Sequence, residues 1–200
     1  MVPEMDFAEL KTACLSCDKC ALCKGRTHVV VGVGNEAADV MFIGEGPGEQ
    51  EDLKGEPFVG RAGQLLDRMM NAVGLDRRHN AYIANMVKCR PPHNRDPLPE
   101  EQEACLDWLR RQTALIKPRI IVCLGRIAAC RLIDPDMKIS RQHGQWVQKN
   151  GTWMTAMLHP AAILRNPAQK PEAFADFLRL RDKMVELGRE EQLTFPNDNE

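Results

Sequence analysis

Residues 40–45 read VMFIGE: four apolar residues in succession, then a glycine, then a carboxylate. A strand with one wet face would alternate. An unbroken apolar run that stops in glycine is the mark of a strand covered on both faces, as in a parallel sheet. RIIVCLG (119–125) repeats the signature, and AYIANMVK (81–88) reads as a further strand. GQWVQKNGTWMTAMLH (144–159) carries Asn150-Gly151 between two extended runs, a hairpin signal that leads into a fourth core strand. Helical spacing fills the gaps. RAGQLLDRMMNAV (61–73) ends at Gly74, EEQEACLDWLRRQTALI (100–116) ends at Lys117-Pro118, and RIAACRLI (126–133) is short. PEAFADFLRLRDKMVELG (171–188) forms a last amphipathic helix. Residues 4–24 also read as helix as far as Gly25, and 28–34 (HVVVGVG) as a short extended piece. Strands alternating with helices imply an α/β domain with a parallel sheet covered on both faces. The domain is expected over residues 1–188, with 189–200 a frayed tail.

Three loops follow strand ends: 45–60, 89–97 and 159–167. The first is too rich in Gly, Pro and acid for regular structure, and the second holds too many prolines. In open parallel sheets, ligand sites gather at the C-terminal strand ends, so these loops should converge on one crevice.

The totals narrow the function. With 27 Lys+Arg against 28 Asp+Glu, a global basic field is absent, and any nucleic-acid contact must be local. The longest apolar runs are too short to span a membrane, and the N-terminus lacks a signal-peptide pattern. A cytoplasmic chain is expected, where thiols stay reduced. Eight cysteines there point to metal or redox chemistry. Four of them, Cys14, Cys17, Cys20 and Cys23, fall in CLSCDKCALC, while Cys89 and Cys105 flank the proline-rich loop. A C-x2-C pair with two distant cysteines can hold tetrahedral zinc or a [4Fe–4S] cluster, and the spacing does not choose between them. A ferredoxin run has three residues before its last cysteine and then Pro; here there are two residues, then Lys24. That disfavours an electron carrier. Cys123 and Cys130, mid-strand and mid-helix, read as small core residues.

The loops carry candidate chemistry. GEGPGEQED (44–52) lacks the lysine of a P-loop. Glu45, just past a strand end, suits either orienting a water or capping a turn. Phe58 is either a core plug or a stacking platform. Asn85, in an otherwise apolar strand, needs partners: a neighbouring loop or a ligand's polar edge. His159 ends a strand and is followed by Pro160, Ile163, Leu164 and Arg165.

Taken together, GEGPGEQEDLKGEPFVGRAGQLLD, YIANMVKCRPPHNRDPLPEE, IIVCLG and LHPAAILRNP, in this order, resemble family 4 uracil-DNA glycosylases, the iron–sulfur branch of that superfamily. The likeness runs from about Cys17 to the last helix. It implies a single-domain, three-layer α/β/α fold around a four-stranded parallel sheet. It also implies a structural [4Fe–4S] cluster on Cys17, Cys20, Cys89 and Cys105, followed by Gly25-Arg26-Thr27, with Cys14 paired to Cys17 as an alternative register. The implied activity is monofunctional: uracil is flipped out of DNA and its N-glycosidic bond hydrolysed, which starts base-excision repair. His159 would hydrogen-bond uracil O2. Phe58 would stack, Asn85 would read the base edge, and Gly46 and Asn94 would line the base site. Glu45 and Glu51 would position the water or offset sugar charge. Ile163 or Leu164 would wedge into the stack, and Arg165, Arg61 and Arg95 would hold phosphates. The expected partner is uracil-containing DNA, bound by a monomer with no membrane contact. The other reading is an iron–sulfur DNA-binding accessory module without glycosylase activity. The joint presence of His159, Asn85 and Phe58 argues against it.

Overall fold

The computed structural model describes residues 5–195. Six strands make one sheet: β1 (Val33–Gly34), β2 (Val40–Gly44), β3 (Ala81–Asn85), β4 (Ile120–Leu124), β5 (Trp146–Lys149) and β6 (Thr152–Met157). Their spatial order is β1-β3-β2-β4-β6-β5. The sheet is therefore mixed and six-stranded, which corrects the expected four-stranded parallel sheet. β3, β2, β4 and β6 run parallel, and an antiparallel strand closes each side. β5 is the outgoing arm of the Asn150-Gly151 hairpin, so it must oppose β6; both turn residues adopt the positive φ this turn requires. β1 is the end of the short extended piece read over residues 28–34.

The helices are α1 (Phe7–Leu15), α2 (Glu49–Lys54), α3 (Arg61–Asn71), α4 (Pro99–Ile116), α5 (Arg126–Leu132), α6 (Ile139–Gln142), α7 (Pro160–Arg165) and α8 (Lys170–Glu186). They lie on both faces of the sheet, and the pleat explains how. Val40, Phe42, Ile83, Ile120 and Val122 pack with Leu66 and Met70 of α3, Ile163 of α7 and Phe177 and Leu180 of α8. The alternate residues Met41, Ile43, Tyr82, Ala84, Ile121 and Cys123 pack with Leu106 and Leu109 of α4 and Ala128 and Ala129 of α5. Period-two alternation thus feeds two cores, which is why the runs look uniformly apolar in sequence.

Three further expectations are corrected. The helix read over residues 4–24 stops at Leu15, and only a 3-10 turn, Ala21–Lys24, follows. Breaking the helix lets Cys17, Cys20 and Cys23 face one hollow together. The loop at 46–60 contains α2. Its acids, Glu49, Glu51 and Asp52, occupy the first helical turn, where the helix dipole favours negative charge, and Gly55 ends it in the left-handed conformation. The tail expected to fray is docked as far as residue 195: Arg189 Nε donates to Asp39 Oδ2 (2.6 Å), Asn80 Nδ2 to the Gln192 carbonyl (2.5 Å) and the Thr194 N–H to the Gly74 carbonyl (2.8 Å). Residues 1–4 of the expected domain and 196–200 of the expected tail lie outside the described residues. Among the described residues no helix is long and apolar enough to cross a membrane.

Candidate active site

The parallel strands all end at one rim, and a cleft of about 610 Å³ opens there. That lies within the roughly 300–1,000 Å³ of small-molecule sites. Glu45, Gly46 and Phe58 line it from the loop after β2. Asn85 comes from the end of β3, Asn94, Arg95 and Asp96 from the proline-rich loop, Arg126 from the first residue of α5, and His159 and Arg165 from beyond β6. The three loops converge as the sequence suggests.

Asn85 is 1% exposed, and its Oδ1 has no hydrogen-bond partner. Among the described residues it is the one buried side-chain oxygen or nitrogen left so. An orphaned buried acceptor is destabilising unless a ligand satisfies it. Gly44 lies directly beneath: a Cβ there would come within 2.5 Å of Asn85 Oδ1 and 2.6 Å of the Phe58 ring.

Phe58 is nearly buried yet lines the cleft, so it is both plug and wall. Its ring centre is 5.6 Å from that of His159, tilted by 32°. Its backbone φ is +54°, a strained value for an aromatic residue. Three contacts hold it there. Arg77 donates to the carbonyls of Pro57 (2.8 Å) and Phe58 (2.7 Å) while its Nε is held by Asp67 Oδ1 (2.8 Å). Glu51 Oε1 accepts from the N–H groups of Val59 (2.9 Å) and Gly60 (2.8 Å). Gly63 supplies the close approach: a Cβ there would fall 1.8 Å from the Phe58 carbonyl oxygen.

His159 caps α7, its Nδ1 accepting from the Ala161 N–H at 3.1 Å. Burial, then nearby Arg165, pushes its pKa down to about 4, against an opposing pull from Glu51. The ring is thus neutral near pH 7, and with Nδ1 accepting, its proton sits on Nε2. Glu45 moves the other way: burial, then the like charge of Asp96, raises its carboxyl to about 7, while Arg126 opposes the rise. Asp96 and Arg126 form an ion pair at the rim.

Other expected site residues divide. Glu51 lines the cleft, but its Oε2 also accepts from the Gly48 N–H (3.1 Å), so three backbone amides occupy the carboxylate. Asn94 sits at the rim, its Oδ1 accepting from Arg90 Nε (2.7 Å). Arg165 is exposed at the rim and Arg61 is exposed at the first residue of α3, away from the cleft lining. One expectation is corrected. Ile163 is 1% exposed and packs into the core below the sheet, because α7 turns its third apolar position inward; it is no wedge. Arg95 lines the cleft and stays partly exposed, while two hydrogen bonds to Glu101, 2.9 and 2.7 Å, tie the proline-rich loop to α4. Leu164 is half-buried beside the core. Gly63 and Asp96 lie within the stretches that carry the resemblance but have no role assigned there, and Arg77 and Arg126 lie outside those stretches. Arg126 alone could have been found, as the first residue after a glycine-terminated strand.

Behind the proline-rich loop, Cys17, Cys20, Cys23, Cys89 and Cys105 line a second hollow; Cys14 packs behind it with Leu10, Leu22 and Trp108. Three of the thiols receive N–H donors. Trp108 Nε1 donates to Cys17 Sγ (3.2 Å), Arg26 Nη1 to Cys89 Sγ (3.3 Å) and the Lys88 N–H to Cys105 Sγ (3.3 Å). Among the described residues no three His, Cys, Asp or Glu side chains close on a single-ion position. The thiols ring a space instead of meeting at a point.

Residues 31–180 match the family model for the uracil DNA glycosylase superfamily. The chain is similar to the type-4 uracil-DNA glycosylase of Archaeoglobus fulgidus, 50% identical over 175 residues that cover 83% of this chain and 87% of that one. It is 46% identical over 154 residues to the type-4 uracil-DNA glycosylase of Thermotoga maritima, covering 75% and 79%. To that of Saccharolobus solfataricus it is 41% identical over 176 residues, covering 84% and 82%.

Proposed function

This chain belongs to the type-4 uracil-DNA glycosylases of the uracil DNA glycosylase superfamily, and from that premise we propose that it hydrolyses the bond between uracil N1 and deoxyribose C1′ in DNA. The products are free uracil and an abasic site that enters base-excision repair. The observation that carries the reading is the orphaned Oδ1 of Asn85 in the cleft wall. A uracil flipped into the cleft offers N3–H to that oxygen and O4 to the amide Nδ2. Cytosine presents the opposite pattern and leaves both amide groups unpaired, which makes its rejection strong.

The remaining residues supply the chemistry. Phe58 stacks on the base, and Gly46 backs it without a side chain. As the bond breaks, electrons pass to the uracil ring and gather at O2. His159, neutral with its proton on Nε2, donates to that oxygen and needs no ionisation to do so. Glu45, with a carboxyl pKa near 7, suits the general base that takes a proton from the water attacking C1′. Glu51 acts at one remove, as the brace of the Phe58 turn. Leu164 is the remaining wedge candidate. Arg165 and Arg61 are the free phosphate partners from the sequence. Asn94 borders the sugar side of the rim.

The donor set of the hollow fits a [4Fe–4S] cluster on Cys17, Cys20, Cys89 and Cys105. Cys17, Cys89 and Cys105 receive N–H donors, the kind of outer contact that orients metal ligands, and Cys20 lines the same hollow as the C-x2-C partner of Cys17. When bound, the cluster ties the N-terminal segment to the proline-rich loop and α4 and supplies no step of the hydrolysis. Cys23 and Cys14 remain outside the set.

The test is single-turnover release of uracil from a labelled oligonucleotide, scored as alkali-labile abasic sites. The wild type is expected to cut and His159→Ala to be slower by ~10²–10³, the usual loss for one preorganised donor. A folded, iron-loaded wild type that leaves uracil in place would overturn the proposal in favour of a DNA-binding accessory module.

A further inference from the structure

A lysine is rare at the centre of a fold. Lys88 is 1% exposed, three residues beyond Asn85 and next to Cys89. Its two ends make different contacts. The main-chain N–H donates to Cys105 Sγ at 3.3 Å. The ε-amino group donates to the main-chain carbonyl of Asn85 at 2.9 Å and to Oε1 of Gln112 at 2.6 Å. Gln112 is itself fully buried in α4, its amide donating to the Val31 carbonyl (2.8 Å) and the Tyr82 hydroxyl (3.2 Å). The ε-amino group is therefore fixed from the α4 side, and it fixes the Asn85 peptide in turn.

The peptide of Asn85 matters because the side chain has no partner of its own at Oδ1. Its aim depends on the backbone that carries it. On one side that backbone is paired in register with Gly44. Where β3 ends, the Lys88 contact takes over. We propose that Lys88 is a positioning residue that couples the seating of Cys105 in the thiol hollow to the orientation of Asn85, so that base recognition depends on an ordered hollow. The inference rests on the glycosylase reading above. It assigns Lys88 no contact with substrate.

Lys88→Met keeps the chain length and the main-chain N–H to Cys105 but removes the ε-amino donors. Four quantities are compared with wild type, each per iron-containing molecule: iron content with visible absorbance, affinity for free uracil by calorimetry, and single-turnover kcat and KM on a uracil oligonucleotide. Iron and absorbance should be retained. Uracil affinity and kcat/KM should fall on the order of 10–100-fold, the span of the penalty for a buried acceptor left unpaired. In an Asn85→Ala background the same change should add less than about threefold, because two residues acting through one contact are not additive. A general structural role would instead multiply the two losses. Wild-type uracil affinity and rate in Lys88→Met, or full multiplication with Asn85→Ala, overturns the proposal. If Lys88→Met does not fold, Gln112→Met removes the acceptor that holds the ε-amino group and is judged by the same two criteria. A wild type that fails to excise uracil defeats the glycosylase reading itself. A competent wild type equalled by Lys88→Met defeats only the coupling.

Discussion

Asn85 exposes a conflict between stability and use at a single residue. Replacing a buried unpaired acceptor by an apolar group of similar shape is nearly neutral or stabilising. Asn85→Leu should therefore melt no lower than wild type in a thermal scan while losing at least ~10² in uracil excision, by the logic of an unmatched polar edge. A lower melting temperature would mean that the carbonyl has a partner in solution. Glu45 makes a pH prediction at the same scale. Its carboxyl, raised to about 7, must be ionised to accept a proton, so kcat/KM should climb with pH and level off above about 7. Asp96→Asn removes the like charge and releases Arg126, so the inflection should move to lower pH in a rate profile. His159, at about 4, should add no inflection near 6–7. For stability the sign is opposite. Glu45 holds its proton longer folded than unfolded, so its contribution is full below the ordinary carboxylate range and is lost as pH rises through 7. Much of this site is legible in the sequence, because Glu45, Asn85 and His159 each stand where an apolar strand stops. What pattern cannot show is pairing. Arg95 reads as a surface cation until Glu101 is seen to hold it, and Ile163 reads as a wedge until the turn of α7 takes it inward.

At the scale of elements, the Phe58 turn is the most heavily constrained piece of the cleft. Arg77, Glu51 and Gly63 all hold it from outside. Gly63→Ala places a methyl group 1.8 Å from the Phe58 carbonyl oxygen, so the turn must shift. We expect a loss of about 1–3 kcal/mol by denaturant titration, as for other overpacked sites. Excision should drop as the ring leaves its plane. Wild-type stability and rate together would show that the turn yields freely. The elements misread from sequence share a cause. In α2 the acids that seemed to forbid order stabilise the first turn, and in residues 16–24 an apparent helical period is broken to serve the thiols. In both, a local contact overrides composition, and composition is what a sequence pattern measures.

At the scale of the molecule, the N-terminal segment as far as Val31 is held differently from the rest. Leu10, Cys14, Leu22, Val29, Val31 and Trp108 form a small core around the thiols, separate from the two cores that sandwich the sheet. Stripping the iron of the proposed cluster with a chelator and reductant should therefore raise hydrogen exchange first in residues 16–31 and 86–97, with β2 and β4 still protected. Uniform loss of protection would show one cooperative unit instead. The flanks of the sheet bear on another property. A free strand edge recruits the edge of another chain, and long apolar edges seed aggregates. Here one flank is β1, two residues long and half glycine, and the other is β5, which ends in the exposed polar pair Gln148 and Lys149. The parallel strands that would template such growth are sealed inside. Sticking between copies is therefore a hazard of the nascent chain, before its hairpin closes over β6, and not of the finished protein.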